Sequence, residues 1–125
     1  MNPMFLFNEA VRAGKAAVAA AQVVPMVVGE AKGLLSDEID YSKKTYFVED
    51  GVCGFAAVIV KPGNSKFAKF LKEMGIARRD SYNGGVRMPV HEYNQSLQKK
   101  EAYAYAFAKV LREAGINARV ESRMD

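Results

Sequence analysis

Hydrophobic and polar positions near the start of the chain recur with the period of an amphipathic helix. The apolar stripe consists of Phe7, Val11, Val18 and Ala21, and the polar stripe consists of Asn8, Arg12, Lys15 and Gln22. Asn8 is a suitable N-cap and Pro25 breaks the pattern, so the sequence predicts a helix from Asn8 to about Val24. Alanines between residues 16 and 21 make this helix thin, which favours close packing against a second helix.

Strand-forming residues dominate from residue 45 onward. Thr45–Glu49 is rich in β-formers, Asp50-Gly51 is a hairpin turn signal, and Val52–Val60 follows as a second strand. This second strand is apolar without alternation, which is typical of a central strand covered on both faces. The sequence therefore predicts a β-hairpin over residues 45–60.

A second hairpin is predicted over residues 76–91. Its strands are Ile76–Ser81 and Val86–His91, and its turn is Asn-Gly-Gly. In the return strand the alternation points one set of side chains inward, namely Val86, Met88 and Val90, and the other set outward, namely Arg87, Pro89 and His91. Proline has no backbone N–H, so Pro89 predicts that this strand lies at an edge of the sheet.

Two helices accompany this hairpin along the chain. The first begins at Asn64 or Ser65 and ends near residue 74, and the second covers Leu97–Ala114 and leads into a last strand, Ile116–Ser122. From the strand at residue 52 onward the order is that of a ferredoxin-like βαββαβ fold. The sequence therefore predicts an α+β protein whose antiparallel sheet carries both helices on one face.

Two parts of the chain are expected. Residues 45–125 form a compact α+β domain, in which the strand at residues 45–49 adds an extra hairpin strand to one side of the sheet. Residues 1–44 hold the amphipathic helix and a connecting segment. Residues 26–35 are expected to be a short helix or an extended piece, and residues 36–44 a polar loop.

Composition narrows the class of protein. The chain of 125 residues is half hydrophobic and contains one cysteine and one histidine, so an internal disulfide and a Cys/His zinc site are excluded. No apolar run is long enough to span a membrane, and the N-terminus lacks the pattern of a secretory signal. We expect a cytoplasmic protein with no membrane segment, in which Cys53 is a small apolar residue of a strand.

Charge is distributed unevenly along the chain. Residues 41–125 carry fifteen Lys and Arg against nine Asp and Glu, whereas residues 1–40 have an acidic excess, and the whole chain carries +4. The basic excess of the C-terminal part favours an anionic partner.

No catalytic or cofactor motif is found in the sequence. The phosphate-loop and dinucleotide fingerprints are absent, and His91-Glu92 lacks the second histidine of a zinc-protease motif. Lys61 and Lys66 flank a strand-to-helix loop that an ordinary capped turn explains. The sequence predicts no metal and no cofactor, and it leaves open whether the protein is an enzyme.

The basic residues of the second half supply the candidate site. Arg119 and Arg123 share one face of the last strand with Glu121, and the hairpin brings arginine, tyrosine and asparagine beside them. These side chains suit phosphate and base recognition. The candidate ligand-binding residues are Arg79, Tyr82, Asn83, Arg87, Asn94, Lys99, Arg119 and Arg123. The alternative is a solvated face with cross-strand ion pairs.

Three functions fit this reading of the sequence. The favoured one is a non-enzymatic homo-oligomeric protein that binds a nucleotide or nucleic acid on the basic sheet face or at a subunit interface. We expect that replacing Arg87 and Arg119 together abolishes binding. The alternatives are a self-assembling structural protein and a small enzyme whose site forms between subunits, near Glu92, Glu121 or Tyr82.

Overall fold

A computed structural model describes residues 2–23, 26–29, 45–48, 51–93 and 96–125. The helices are α1 (Pro3–Ala20), α2 (Lys66–Glu73) and α3 (Leu97–Glu113). The strands are β1 (Met26–Gly29), β2 (Thr45–Val48), β3 (Gly54–Lys61), β4 (Arg78–Arg79), β5 (Val86–Pro89) and β6 (Asn117–Met124). Some expectations concern residues that are not described. These are the helix break at Pro25, residues 30–35, the loop at 36–44, the turn residue Asp50 and the candidate site residue Asn94.

Four of the strands form an antiparallel sheet in the order β4-β5-β3-β6. Helix α2 connects β3 to β4, and helix α3 connects β5 to β6. The predicted α+β class and the predicted central place of the apolar strand β3 are confirmed. None of the described helices is both long and apolar enough to cross a membrane.

The prediction that the strand at residues 45–49 extends this sheet is wrong. Strand β3 is hydrogen-bonded to β5 on one side and to β6 on the other, so it has no free edge for a hairpin partner. Strand β2 instead pairs with β1 in a separate antiparallel sheet of two strands, with Thr45 opposite Gly29. Residues 26–29 are therefore extended.

The prediction of an edge position for the strand that contains Pro89 is also wrong, because β5 lies between β4 and β3. The N–H of Val90 donates to the carbonyl of Ala56 on β3. Neighbouring residues of a strand direct their backbone groups to opposite sides, so the nitrogen of Pro89 points away from β3. Strand β4 consists of Arg78–Arg79 alone and is paired with Arg87 and Val86. The missing donor of Pro89 therefore faces a side where no ladder continues.

The hydrophobic core lies between the sheet and the helices. Strand β3 contributes Ala56, Val58 and Val60, and α3 contributes Phe107 and Leu111. The predicted inward set of β5 is confirmed, since its three members are buried in the same core, namely Val86, Met88 and Val90. The three described helices all pack on this face, so none of them lies on the opposite face of the sheet, the helix-free face.

Helix α1 begins at Pro3, so the predicted start at Asn8 is wrong. The side chain of Asn2 caps it by accepting from the N–H of Met4 at 2.9 Å, and proline at the first helical position has no N–H that would need a partner. The apolar pattern therefore starts a full turn earlier than the sequence suggested.

Small residues let α1 approach α3 closely. Leu6, Ala10 and Gly14 form the buried stripe of α1, and they contact the core that includes Tyr103 of α3. A Cβ atom on Gly14 would lie 2.7 Å from the ring of Tyr103. The expected close packing occurs at this glycine and at Ala10, not along the alanine run, where Ala16, Ala19 and Ala20 are exposed.

We expect Gly14→Leu to lower the free energy of unfolding by about 1–3 kcal/mol or more, because the larger side chain pushes α1 away from Tyr103. The matched control is Ala16→Leu on the exposed side of the same helix, which we expect to change stability little. Thermal or urea unfolding measures both. Equal midpoints for the two variants would contradict the close contact.

Candidate anion-binding site

The helix-free face of the sheet collects charged side chains from three strands. Arg87 of β5 and Arg119 of β6 both lie opposite Ile59 of β3, so they flank this residue on one face. Helix α1 packs against α3 on the other side of the sheet, and no described helix covers this face. Two of the candidate arginines are therefore neighbours on one open surface.

A hydrogen-bonded network joins these strands above β3. Arg87 Nη1 donates to Glu121 Oε1 at 2.6 Å, Asn83 Nδ2 donates to Glu121 Oε2 at 2.7 Å, and Arg119 Nη2 donates to Asn83 Oδ1 at 2.7 Å. The ion pair of Arg87 and Glu121 spans from β5 to β6 across Ala57, which is paired with Pro89 and Glu121. Because alanine is small, the two long side chains meet above it, and Ala57 is fully buried beneath them.

Asp80 holds the hairpin loop in this network. Its Oδ1 accepts from the backbone N–H groups of Tyr82 and Asn83, at 3.0 and 2.9 Å, and its Oδ2 accepts from Asn83 Nδ2 at 2.9 Å. These bonds, with the Asn83 amide foremost, lower the pKa of Asp80. The hydrogen bond from Arg87 is the main cause that lowers the pKa of Glu121. Both carboxylates are therefore ionised at neutral pH.

One cross-strand ion pair, as in the alternative reading of this face, thus exists between Arg87 and Glu121, yet the described side chains of the face keep a surplus of positive charge. Among the described residues its cations are Lys61, Arg78, Arg87, Arg119 and Arg123, and its carboxylates are Asp80 and Glu121. Lys61, Arg78 and Arg123 form no ion pair with any described carboxylate. Among the described side chains of this face, cations therefore outnumber carboxylates.

A cleft of about 450 Å³ opens at the end of this face. Its functional lining consists of Phe55, Arg87, His91, Lys100, Glu121 and Arg123. Lys100 is only 4% exposed, and its Nζ donates to the carbonyl of Gly54 at 3.3 Å. The same Nζ lies 5.5 Å from the centre of the Phe55 ring, and the guanidinium of Arg123 lies 5.3 Å from it. No described carboxylate pairs with either cation.

Local hydrogen bonds place Lys100 at this point. The N–H of Leu97 donates to the carbonyl of Val52, and Ser96 forms a β-bridge with Cys53, so the start of α3 is tied to the start of β3. Lys100 follows one turn later and reaches Gly54. A Cβ on Gly54 would lie 2.5 Å from the carbonyl oxygen of Arg123, so glycine permits this close approach.

The structure brings some predicted site residues together and separates others. Asn83, Arg87 and Arg119 share the network, and Arg123 lies in the cleft. Arg79 is paired with Val86 and so points to the opposite face. The remaining candidates are Tyr82, which is 94% exposed at the hairpin tip, Lys99, whose N–H donates to Ser96 Oγ, and Asn94, which lies outside the described residues.

Sequence reasoning left out Lys100, Phe55 and Asp80 as site residues. A signal for Lys100 was available, because it is three and four residues before Tyr103 and Ala104 on the apolar stripe of α3. A lysine on such a stripe buries its aliphatic stem, and its head group must reach a polar partner or solvent. Nothing in the pattern marked Phe55 or Asp80, whose roles depend on strands that are distant in sequence.

Among the described residues no cluster of three or more His, Cys, Asp and Glu side chains could hold a metal ion. Comparison with protein-family models, with curated proteins and with solved structures gives no match for this chain.

We expect stability to fall as the pH drops below about 4.5, the ordinary pKa of a glutamate, because the lowered pKa values of Glu121 and Asp80 make their folded forms bind protons less readily than the unfolded chain. Glu121→Gln should weaken this acid dependence, whereas the exposed Glu113→Gln should not. Urea unfolding at neutral pH and at about pH 3 measures the difference. Parallel pH profiles for Glu121→Gln and the unchanged protein would refute the role of this carboxylate.

Proposed function

We propose that this protein binds a phosphate-bearing ligand, a nucleotide or a nucleic acid, in the cleft on the helix-free face of its sheet, and that it does so without catalysis. One observation carries the proposal. Two cations, Lys100 and Arg123, are held against the same aromatic ring with no described counter-ion.

The side chain of Lys100 is almost fully buried. Removing an ammonium group from water is costly unless an opposite charge compensates it. The ring of Phe55 attracts both cations through its quadrupole, but it does not cancel their charge. An anion placed between Lys100 and Arg123 would neutralise both and relieve their mutual repulsion. The cleft therefore favours a ligand with at least one strongly anionic group.

Several features favour phosphate as that group. Arginine presents parallel donors that match phosphate oxygens, and Arg123 is exposed at the mouth of the cleft. Phe55 is 37% exposed and offers a ring face at the same place. The volume of about 450 Å³ suits a small ligand. A nucleotide combines the phosphate and the planar base that these groups would contact.

The same proposal extends to class, assembly and location. We propose that the fold is ferredoxin-like; in support, helices follow the first and third strands of the four-stranded sheet, and all neighbouring strands in it are antiparallel. We propose a homo-oligomer because the outer edge of β6 has no described strand partner. A cytoplasmic location is proposed because the single cysteine, Cys53, is free.

The test measures binding of three probes by titration calorimetry: pyrophosphate, nucleoside diphosphates and a short single-stranded oligonucleotide. Lys100→Met and Arg123→Gln should each lower the affinity for the probe that binds by roughly tenfold. This loss corresponds to one charged hydrogen bond. Lys109→Met is the matched control, since Lys109 is exposed on α3 and faces Glu113 instead of the cleft. We expect less than a twofold change for it.

Salt dependence separates the two ligand classes. A nucleoside diphosphate that contacts two cations should give a shallow dependence of affinity on salt, and a polymer that contacts more of the face should give a steep one. The proposal fails if no probe binds at about 1 mM, or if Lys100→Met and the control lose affinity equally. Arg87 and Arg119 are less suitable targets, because both also hold the hairpin.

A further inference from the structure

The outer edge of β6 presents backbone groups that no described strand pairs with. The N–H of Asp125 donates to the carbonyl of Cys53, on the side of β6 that faces β3. On the other side, Arg112 of α3 donates to the carbonyl of Ala118 at 3.1 Å. Backbone groups alternate along a strand, so those of Ala118, Val120 and Ser122 point away from β3. No described strand pairs with this edge. An edge of this length is a template for pairing with another strand.

One stripe of α3 runs beside this edge. It consists of Glu101, Tyr105 and Arg112, which are four and seven residues apart and so share a side of the helix. Two of them are tied to β6: Glu101 Oε2 accepts from Ser122 Oγ at 2.7 Å, and Arg112 donates to Ala118. Tyr105 lies between them in the helix and is 54% exposed. The edge therefore presents an acidic end, an aromatic middle and a basic end.

We infer that β6 pairs antiparallel with β6 of a second copy of this chain, with Val120 on the two-fold axis. In this register Ala118 of one protomer lies opposite Ser122 of the partner subunit, and the reverse holds by symmetry. The basic end of each α3 stripe then meets the acidic end of the other. Tyr105 meets Tyr105 of the partner subunit near the axis.

Charge selects this register over its neighbours. A shift that puts Ser122 on the axis brings Glu101 against Glu101 of the partner subunit, and a shift that puts Ala118 there brings the two copies of Arg112 together. With Val120 on the axis, Arg119 also lies opposite Glu121 of the partner subunit on the helix-free face. Both layers of the interface are then complementary, and the two sheets join into one of eight strands.

The test uses two charge-reversed variants, Arg112→Glu and Glu101→Arg. Each should fail to form its own dimer, because like charges then face each other twice. An equal mixture of the two should form a heterodimer, since Glu at 112 of one meets Arg at 101 of the other. Sedimentation velocity and native mass spectrometry report the subunit count. We expect the dissociation constant of each variant alone to rise roughly tenfold or more, and the mixture to recover most of this loss.

Three outcomes would contradict the proposed dimer. The inference is overturned if the unchanged protein is a monomer at about 100 μM, if both variants dimerise alone as well as the unchanged protein does, or if their mixture stays monomeric. Tyr105→Asp provides a second variant that does not disturb the core, because Tyr105 is exposed; it should also give a monomer. Circular dichroism confirms that each variant is folded.

Discussion

The pairing of β3 on both of its edges is the constraint on which the rest of the structure depends. Strands β5 and β6 pair with the two edges of β3, which places it inside the sheet. Its two faces are covered in different ways. Apolar side chains of the helices cover one face. The ion pair of Arg87 and Glu121 covers the other, and this explains why Ala57 and Ile59 are fully buried although they lie outside the helix-facing core.

The general plan of this sheet could be predicted from the sequence, because it depends on local signals. Ser65, one of the two predicted caps, caps α2, and Ser96 caps α3, which begins at the predicted Leu97. The alternation in β5 assigned the buried face correctly. The errors concern pairing. Pattern alone does not say which strand lies beside which, so residues 45–49 were assigned to β3 and Pro89 to an edge. The correct assignment of either strand would have required knowledge of contacts between residues distant in sequence.

The candidate site was predicted in part for a similar reason. Strand alternation was sufficient to bring Arg119 and Arg123 onto one face, and the hairpin brought Arg87 to them. Which cations remain without a counter-ion depends on Asp80 and Glu121, and these are positioned by hydrogen bonds that no linear motif encodes. Lys100 shows the opposite case, because the helical period contained the information and yet Lys100 was not among the candidate site residues.

Alternate residues of β6 contribute to different surfaces of the protein. Its odd-numbered side chains supply Arg119, Glu121 and Arg123 to the helix-free face, and its even-numbered residues direct their backbone groups outward. A ligand at Arg123 and a second copy at the outer edge would therefore contact the same strand. Thermodynamic reciprocity then requires that any change in ligand affinity caused by association be matched by an equal change in association caused by the ligand. The apparent affinity of such a protein would depend on its own concentration in the cell.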